Sequence, residues 1–179
     1  VRFDVVETVS HPPDLVFRTH RDRLPETAAF LDEVERVECR STTEHASGVV
    51  EQVHLWFGSP RVLPVLLRPF VPAHLLRWRQ RTLWDPVARV ARWEIDVPGL
   101  GTAVESRGTN QYALAPDGRW TRLAIEGELS FRPERLEGLE KAVPPGTAPM
   151  VEKAAVSLIV PMVQRTGAAV SRVLGPRPG

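Results

Sequence analysis

Only one cysteine, Cys39, occurs in the 179 residues, so no disulfide can close within the chain. That scarcity fits a reducing compartment, and a cytoplasmic location is expected. An excess of either charge is also missing. The formal net charge is +1, so bulk charge implies neither nucleic acid nor an anionic surface as partner. No apolar run is long enough to span a bilayer. No signal-peptide pattern is seen; the chain opens directly on the strand-like Val1-Arg2-Phe3-Asp4-Val5-Val6. The histidines His11, His20, His45, His54 and His74 are scattered. No pair of them has the spacing of a zinc site on one helix or hairpin, so no metal is expected. Gly99-Leu100-Gly101 follows a strand but leads into another strand. It lacks the helix that a phosphate-binding turn needs, so it reads as a turn, and no cofactor is expected. Cys39 and His45 lie near a hairpin, yet a nucleophile also needs an orienting partner and an oxyanion site. The plainer reading is a buried thiol. No catalytic residue, internal repeat or low-complexity segment stands out.

What is present is an ordinary globular composition, 42% hydrophobic and 25% charged. The length suits one domain, residues 1–175, followed by a frayed tail at 176–179. Arginine far outnumbers lysine, and proline and alanine are frequent, as in chains from GC-rich bacterial genomes. Residues 2–10 read as a β-branched strand. Ser10 is placed to cap a helix whose first turn takes Pro12 and Pro13 and which runs to about His20. Pro25 opens a second short helix, to Leu31. Strands follow at about 33–42, 47–57, 75–84, 87–97, 102–115 and 119–131. Turn signals separate them at Ser47-Gly48, Asp85-Pro86, 98–101 and Asp117-Gly118. The final element, about 149–174, carries Val151, Ala155, Leu158, Met162, Thr166, Val170 and Val173 at helical spacing. Pro161 inside it predicts a kink or break.

The turns set the strand registers. A tight loop at Asp117-Gly118 pairs Leu114 with Thr121, Tyr112 with Leu123, Asn110 with Ile125 and Gly108 with Gly127. It also pairs Arg107 with Glu128 on the opposite face, a charge pair suited to solvent. A two-residue loop at Asp85-Pro86 pairs Thr82 with Arg89, Gln80 with Ala91 and Trp78 with Trp93, leaving Arg77, Arg79 and Arg81 outside. A four-residue loop at 98–101 pairs Ile95 with Val104 and Trp93 with Ser106. The three hairpins agree on one inward face. The facing glycines Gly108 and Gly127 permit a sharp bend or a close backbone approach.

The strand opening into Ser10-His-Pro-Pro-Asp-Leu-Val-Phe17, the unbroken strands through Phe131 and the long last helix together resemble the START-like helix-grip superfamily. Its members include START lipid carriers, birch-pollen-allergen-like proteins, polyketide cyclases and PRELI-type lipid transfer domains. The resemblance covers nearly the whole chain and is nearest to the superfamily's bacterial branch. It implies an α+β helix-grip fold. A curved antiparallel sheet of about seven strands, with residues 119–131 in its middle, would wrap a long C-terminal helix, with two short helices after the first strand. It further implies a hydrophobic cavity between sheet and helix that holds a lipid or another mostly apolar small molecule.

The residues expected to line that cavity are Trp78, Gln80, Arg89, Trp93, Asn110, Tyr112, Leu158 and Met162. The rings would give apolar contact, with Gln80 and Asn110 orienting a polar head. Simple core packing accounts for the same aromatics equally well. Arg89, near a sheet end, could instead reach solvent. Val62 to Val71, apolar and broken by Pro64 and Pro69, reads as a lid, a core plug or a surface for transient membrane contact. Three functions stay open: a binder or carrier of a hydrophobic small molecule or lipid, a cyclase- or dehydratase-like enzyme using Tyr112 or Arg89, and an interaction domain with a filled core. The inward face offers no paired carboxylate or histidine, which favours the carrier.

Overall fold

A computed structural model gives the fold and describes residues 1–62, 76–98, 100–135, 146, 149 and 159–176. Seven strands form one antiparallel sheet: β1 (Arg2–Val9), β2 (Val34–Glu44), β3 (Val50–Gly58), β4 (Arg77–Asp85), β5 (Val90–Asp96), β6 (Val104–Leu114) and β7 (Thr121–Phe131). Their spatial order is β1-β7-β6-β5-β4-β3-β2. The N-terminal strand pairs with the last one, so β7 is second from an edge and β5 takes the middle. The expected central place for residues 119–131 is corrected accordingly.

Alternation explains which way each strand faces. Phe3, Val5 and Val9 of β1 are buried and Glu7 on the same face is half-buried, while Asp4, Val6 and Thr8 face out. Helix α1 (Pro13–Asp22) buries Val16, Phe17 and His20 on one stripe. Its N-cap is Pro12 and no side chain caps it, so Ser10 does not have the expected role. Helix α2 (Leu24–Ala28) is shorter than expected, at five residues, and buries Leu24, Thr27 and Ala28. Cys39 is exposed, not buried, because it lies in β2, the sheet's other edge strand.

The β6–β7 register is as expected, including Asn110 opposite Ile125, Gly108 opposite Gly127 and Arg107 opposite Glu128. The β4–β5 register differs. Asp85 pairs with Val90, Thr82 with Trp93 and Gln80 with Ile95, so the turn holds residues 86–89. Proline at the second position of a two-residue loop is unfavourable. Instead the Asp85 carboxylate accepts the N–H groups of Val87 (3.0 Å) and Ala88 (2.9 Å), and Arg89 closes the turn at φ 53°. The β5–β6 connection is also longer, with a 3-10 turn at Gly101–Ala103, and Trp93 pairs with Gly108. Each correction shifts partners by an even number. Parity is kept, so the inward faces stay inward. Arg79 and Arg81 are outside as expected, paired with Asp96 and Glu51.

The last helix is helical at 159–163, turns at 164–165 and resumes as α3 (Thr166–Leu174). The expected interruption is therefore present, but it lies downstream of Pro161. Glu7 of β1 holds it: its two carboxylate oxygens accept the Gly167 N–H at 3.1 and 3.2 Å. A carboxylate on freed N–H groups at a helix start is favourable. Burial pushes the Glu7 pKa up, and the N–H groups of Gly167 and Ala168 oppose that rise. Leu158 and nearly all of the Val62 to Val71 segment lie outside the described residues.

Two apolar clusters face the concave side. One gathers Phe3, Val9, Phe17, Trp84, Leu123 and Val170; the other gathers Leu24, Leu31, Val34, Trp56 and Ala169. The paired glycines make room for two aromatic rings of neighbouring strands. The Trp93 ring occupies the place of a Gly108 side chain, and the Phe3 ring that of a Gly127 side chain. No helix among the described residues is long and apolar enough to cross a membrane.

Candidate functional site

A cavity of about 330 Å³ lies between the concave face and the helices, walled by residues from both apolar clusters. Strands contribute Phe3, Trp56, Trp78, Trp84, Trp93 and Ile125. Helices contribute His20, Leu24, Ala28, Ile159, Met162 and Val163. Trp56 and Trp78, opposite each other on β3 and β4, stack with centroids 5.6 Å apart and planes 15° apart. Such a wall suits a flat apolar ligand.

Four of the expected residues, Trp78, Gln80, Trp93 and Asn110, are brought together in this wall, with Met162 facing them from the last helix. Alternation is the cause: each sits on the face that parity turns inward. The polar pair is already engaged. Asn110 Oδ1 accepts the Trp93 indole N–H at 2.9 Å, and Gln80 Nε2 donates to Thr82 Oγ1 at 3.1 Å. Tyr112 is 1% exposed and lies behind the wall, packed edge-to-face against Phe17. Arg89 lies in the β4–β5 turn, away from the lining, and pairs with Asp14 at 3.2 Å. The turn correction moved it off the inward face.

His20 is the residue that sequence reasoning missed. Its Nδ1 lies 2.6 Å from the Tyr112 hydroxyl, and its ring meets Trp84 edge-on. The signal was available, since Pro13, Val16, Phe17 and His20 share one face of α1. Burial, with the nearby His54 adding to it, holds the His20 pKa down to about 4, so the imidazole is neutral at pH 7. His54 on β3 is likewise lowered to about 4 by burial. Burial pushes the Tyr112 phenol pKa up, opposed by a hydrogen bond from Asn110. Among the described residues, His54 Nδ1, Gln52 Oε1 and Trp84 Nε1 are buried without a hydrogen-bond partner, which gives this end of the interior a polar character.

At the other end, Glu33 lines the cavity and its Oε1 bonds Arg165 of the last helix, tying the helix to the start of β2. Among the described residues, no group of three or more histidine, cysteine or acidic side chains is placed to hold a metal.

No protein-family model matches the sequence, and no curated protein does. Solved structures do match. The chain is similar to the Zhui aromatase/cyclase from Streptomyces sp. R1128, at TM-score 0.69 and 18% identity, covering 100% of this chain and 98% of that one. A protein from Thermus thermophilus matches at TM-score 0.66 and 17% identity, over 96% of this chain and 95% of that one. Norcoclaurine synthase from Thalictrum flavum matches at TM-score 0.54 and 13% identity, over 97% and 86%. With the seven-stranded sheet and its last helix, these likenesses show that the chain has the helix-grip fold.

Proposed function

We propose that this protein binds or carries a mostly apolar small molecule in the cavity between the sheet and the last helix. The observation that carries the reading is the cavity itself: about 330 Å³, walled by four tryptophans and aliphatic side chains. That volume is at the low end of the roughly 300–1,000 Å³ found for small-molecule sites. It favours a compact ring system over a two-chain lipid. An interior filled by side chains, the interaction-domain alternative, would leave no such space.

A cyclase- or dehydratase-like activity is the second reading, favoured by one observation: a neutral histidine on the cavity wall, backed by a tyrosine. Two of the solved structures with this fold are described as an aromatase/cyclase and a synthase. The proton donor would not be Tyr112, whose hydroxyl is bound behind the wall, nor Arg89, which is outside.

The test uses the wall's own tryptophans. Aromatic polyketides, sterols and fatty acids are titrated against tryptophan fluorescence, and native mass spectrometry of protein from its own host looks for a retained molecule. Saturable quenching by at least one ring compound, with a matching mass shift, is the expected result. No response across the panel and no retained mass would overturn the proposal.

A further inference from the structure

We infer that the cavity presents a fixed hydrogen-bond donor, the Nε2–H of neutral His20, and so selects ligands carrying a carbonyl oxygen over equally apolar ligands without one. This deepens the binding proposal above and rests on it.

The direction of one hydrogen bond decides which nitrogen of His20 carries the proton. Tyr112 is 1% exposed, and a phenol proton buried to that degree needs an acceptor. Among the described residues, His20 Nδ1, 2.6 Å from the hydroxyl, is the acceptor in reach. Asn110 Oδ1, on the same strand, already accepts the Trp93 indole N–H. A neutral imidazole that accepts at Nδ1 carries its proton on Nε2. His20 belongs to the cavity wall, so this N–H is available to the occupant.

A donor held on an apolar wall sharpens selection. If the occupant has no acceptor, the buried N–H is left without a partner. A ketone, enone or quinone oxygen satisfies it, while a hydrocarbon of the same shape does not. His20 is in this account a binding residue, and Tyr112 is the positioning residue that sets its tautomer.

The test has one arm without ligand and one with. Long-range proton–nitrogen NMR of the free protein at pH 7 should show His20 as the Nε2–H tautomer. Tyr112→Phe should turn it into a mixture of tautomers. An Nδ1–H tautomer or a cation in the wild type overturns the inference. In the second arm, calorimetry compares 9-fluorenone with fluorene, two rings that differ by one carbonyl oxygen. The ketone should bind on the order of threefold to tenfold tighter, the weight of one neutral hydrogen bond. That preference should vanish in His20→Phe and shrink in Tyr112→Phe. Equal binding of both probes to the wild type would overturn the donor role and leave the cavity proposal standing. Binding of neither would overturn both.

Discussion

Gly108→Ala tests the close approach of β6, β7 and Trp93 directly. A Cβ at Gly108 would lie 2.2 Å from the Glu126 carbonyl oxygen and 2.4 Å from Trp93 Cζ2. The first contact is with the backbone of the neighbouring strand, which cannot move without disturbing the β6–β7 ladder. The second would push the Trp93 ring into the cavity and strain its bond to Asn110. Overpacking of this kind costs about 1–3 kcal/mol. Losing the indole hydrogen bond adds about 1 kcal/mol. Alanine returns roughly 0.5–1 kcal/mol by restricting the unfolded chain. The net expectation is a destabilisation of about 2 kcal/mol. With an m-value near 2 kcal/mol/M, the urea midpoint should fall by about 1 M. Gly127→Ala is the companion. Its Cβ would meet the Phe3 ring at 2.3 Å, a side chain near the end of the edge strand β1, free to swing aside. Its cost should be smaller, about 1 kcal/mol. Urea unfolding followed by circular dichroism gives both numbers. If Gly108→Ala unfolds with the wild type, or Gly127→Ala is the worse of the two, the close-approach reasoning is wrong.

The neutral histidines predict a pH dependence. Above pH 6.5 neither His20 nor His54 binds a proton in either state, whereas between 6.5 and about 4 the unfolded chain binds them and the folded one does not. Stability should therefore fall as pH drops through that window and level off below it, by up to about 3 kcal/mol per histidine. NMR signals of either ring titrating above pH 5.5 in the folded protein would contradict this. Glu7→Ala should cost about 1 kcal/mol by freeing the N–H groups at the start of α3, and Glu7→Gln should keep part of that contribution. Equal stability of both variants and the wild type in urea would show that Glu7 does not hold the helix restart. Asn110→Leu should lower stability by about 1–3 kcal/mol even without ligand, because the Trp93 indole N–H loses its acceptor. An unchanged melting curve would mean that the bond contributes nothing.

Local chemistry in the sequence determined the element order, the inward parity of each strand and the glycine pair. Alternation in β4 and β6 and the Asp117-Gly118 turn act over a few residues, so Trp78, Gln80, Trp93 and Asn110 could be assigned to one face from their spacing. Loop lengths were less legible. The Asp85 carboxylate chose a longer turn through bonds to Val87 and Ala88, and with that choice Arg89 left the inward face. The break before α3 was anticipated from Pro161, but its place depends on Glu7, which is 160 residues from Gly167 in sequence. The same is true of the pair at the polar end of the cavity. His20 and Tyr112 are 92 positions apart, and neither residue's neighbours in sequence announce the other. Contacts of that range come into being only when helix and sheet pack. The tertiary structure alone therefore decided that the interior keeps an open space, and that a histidine with a fixed hydrogen-bond partner faces it.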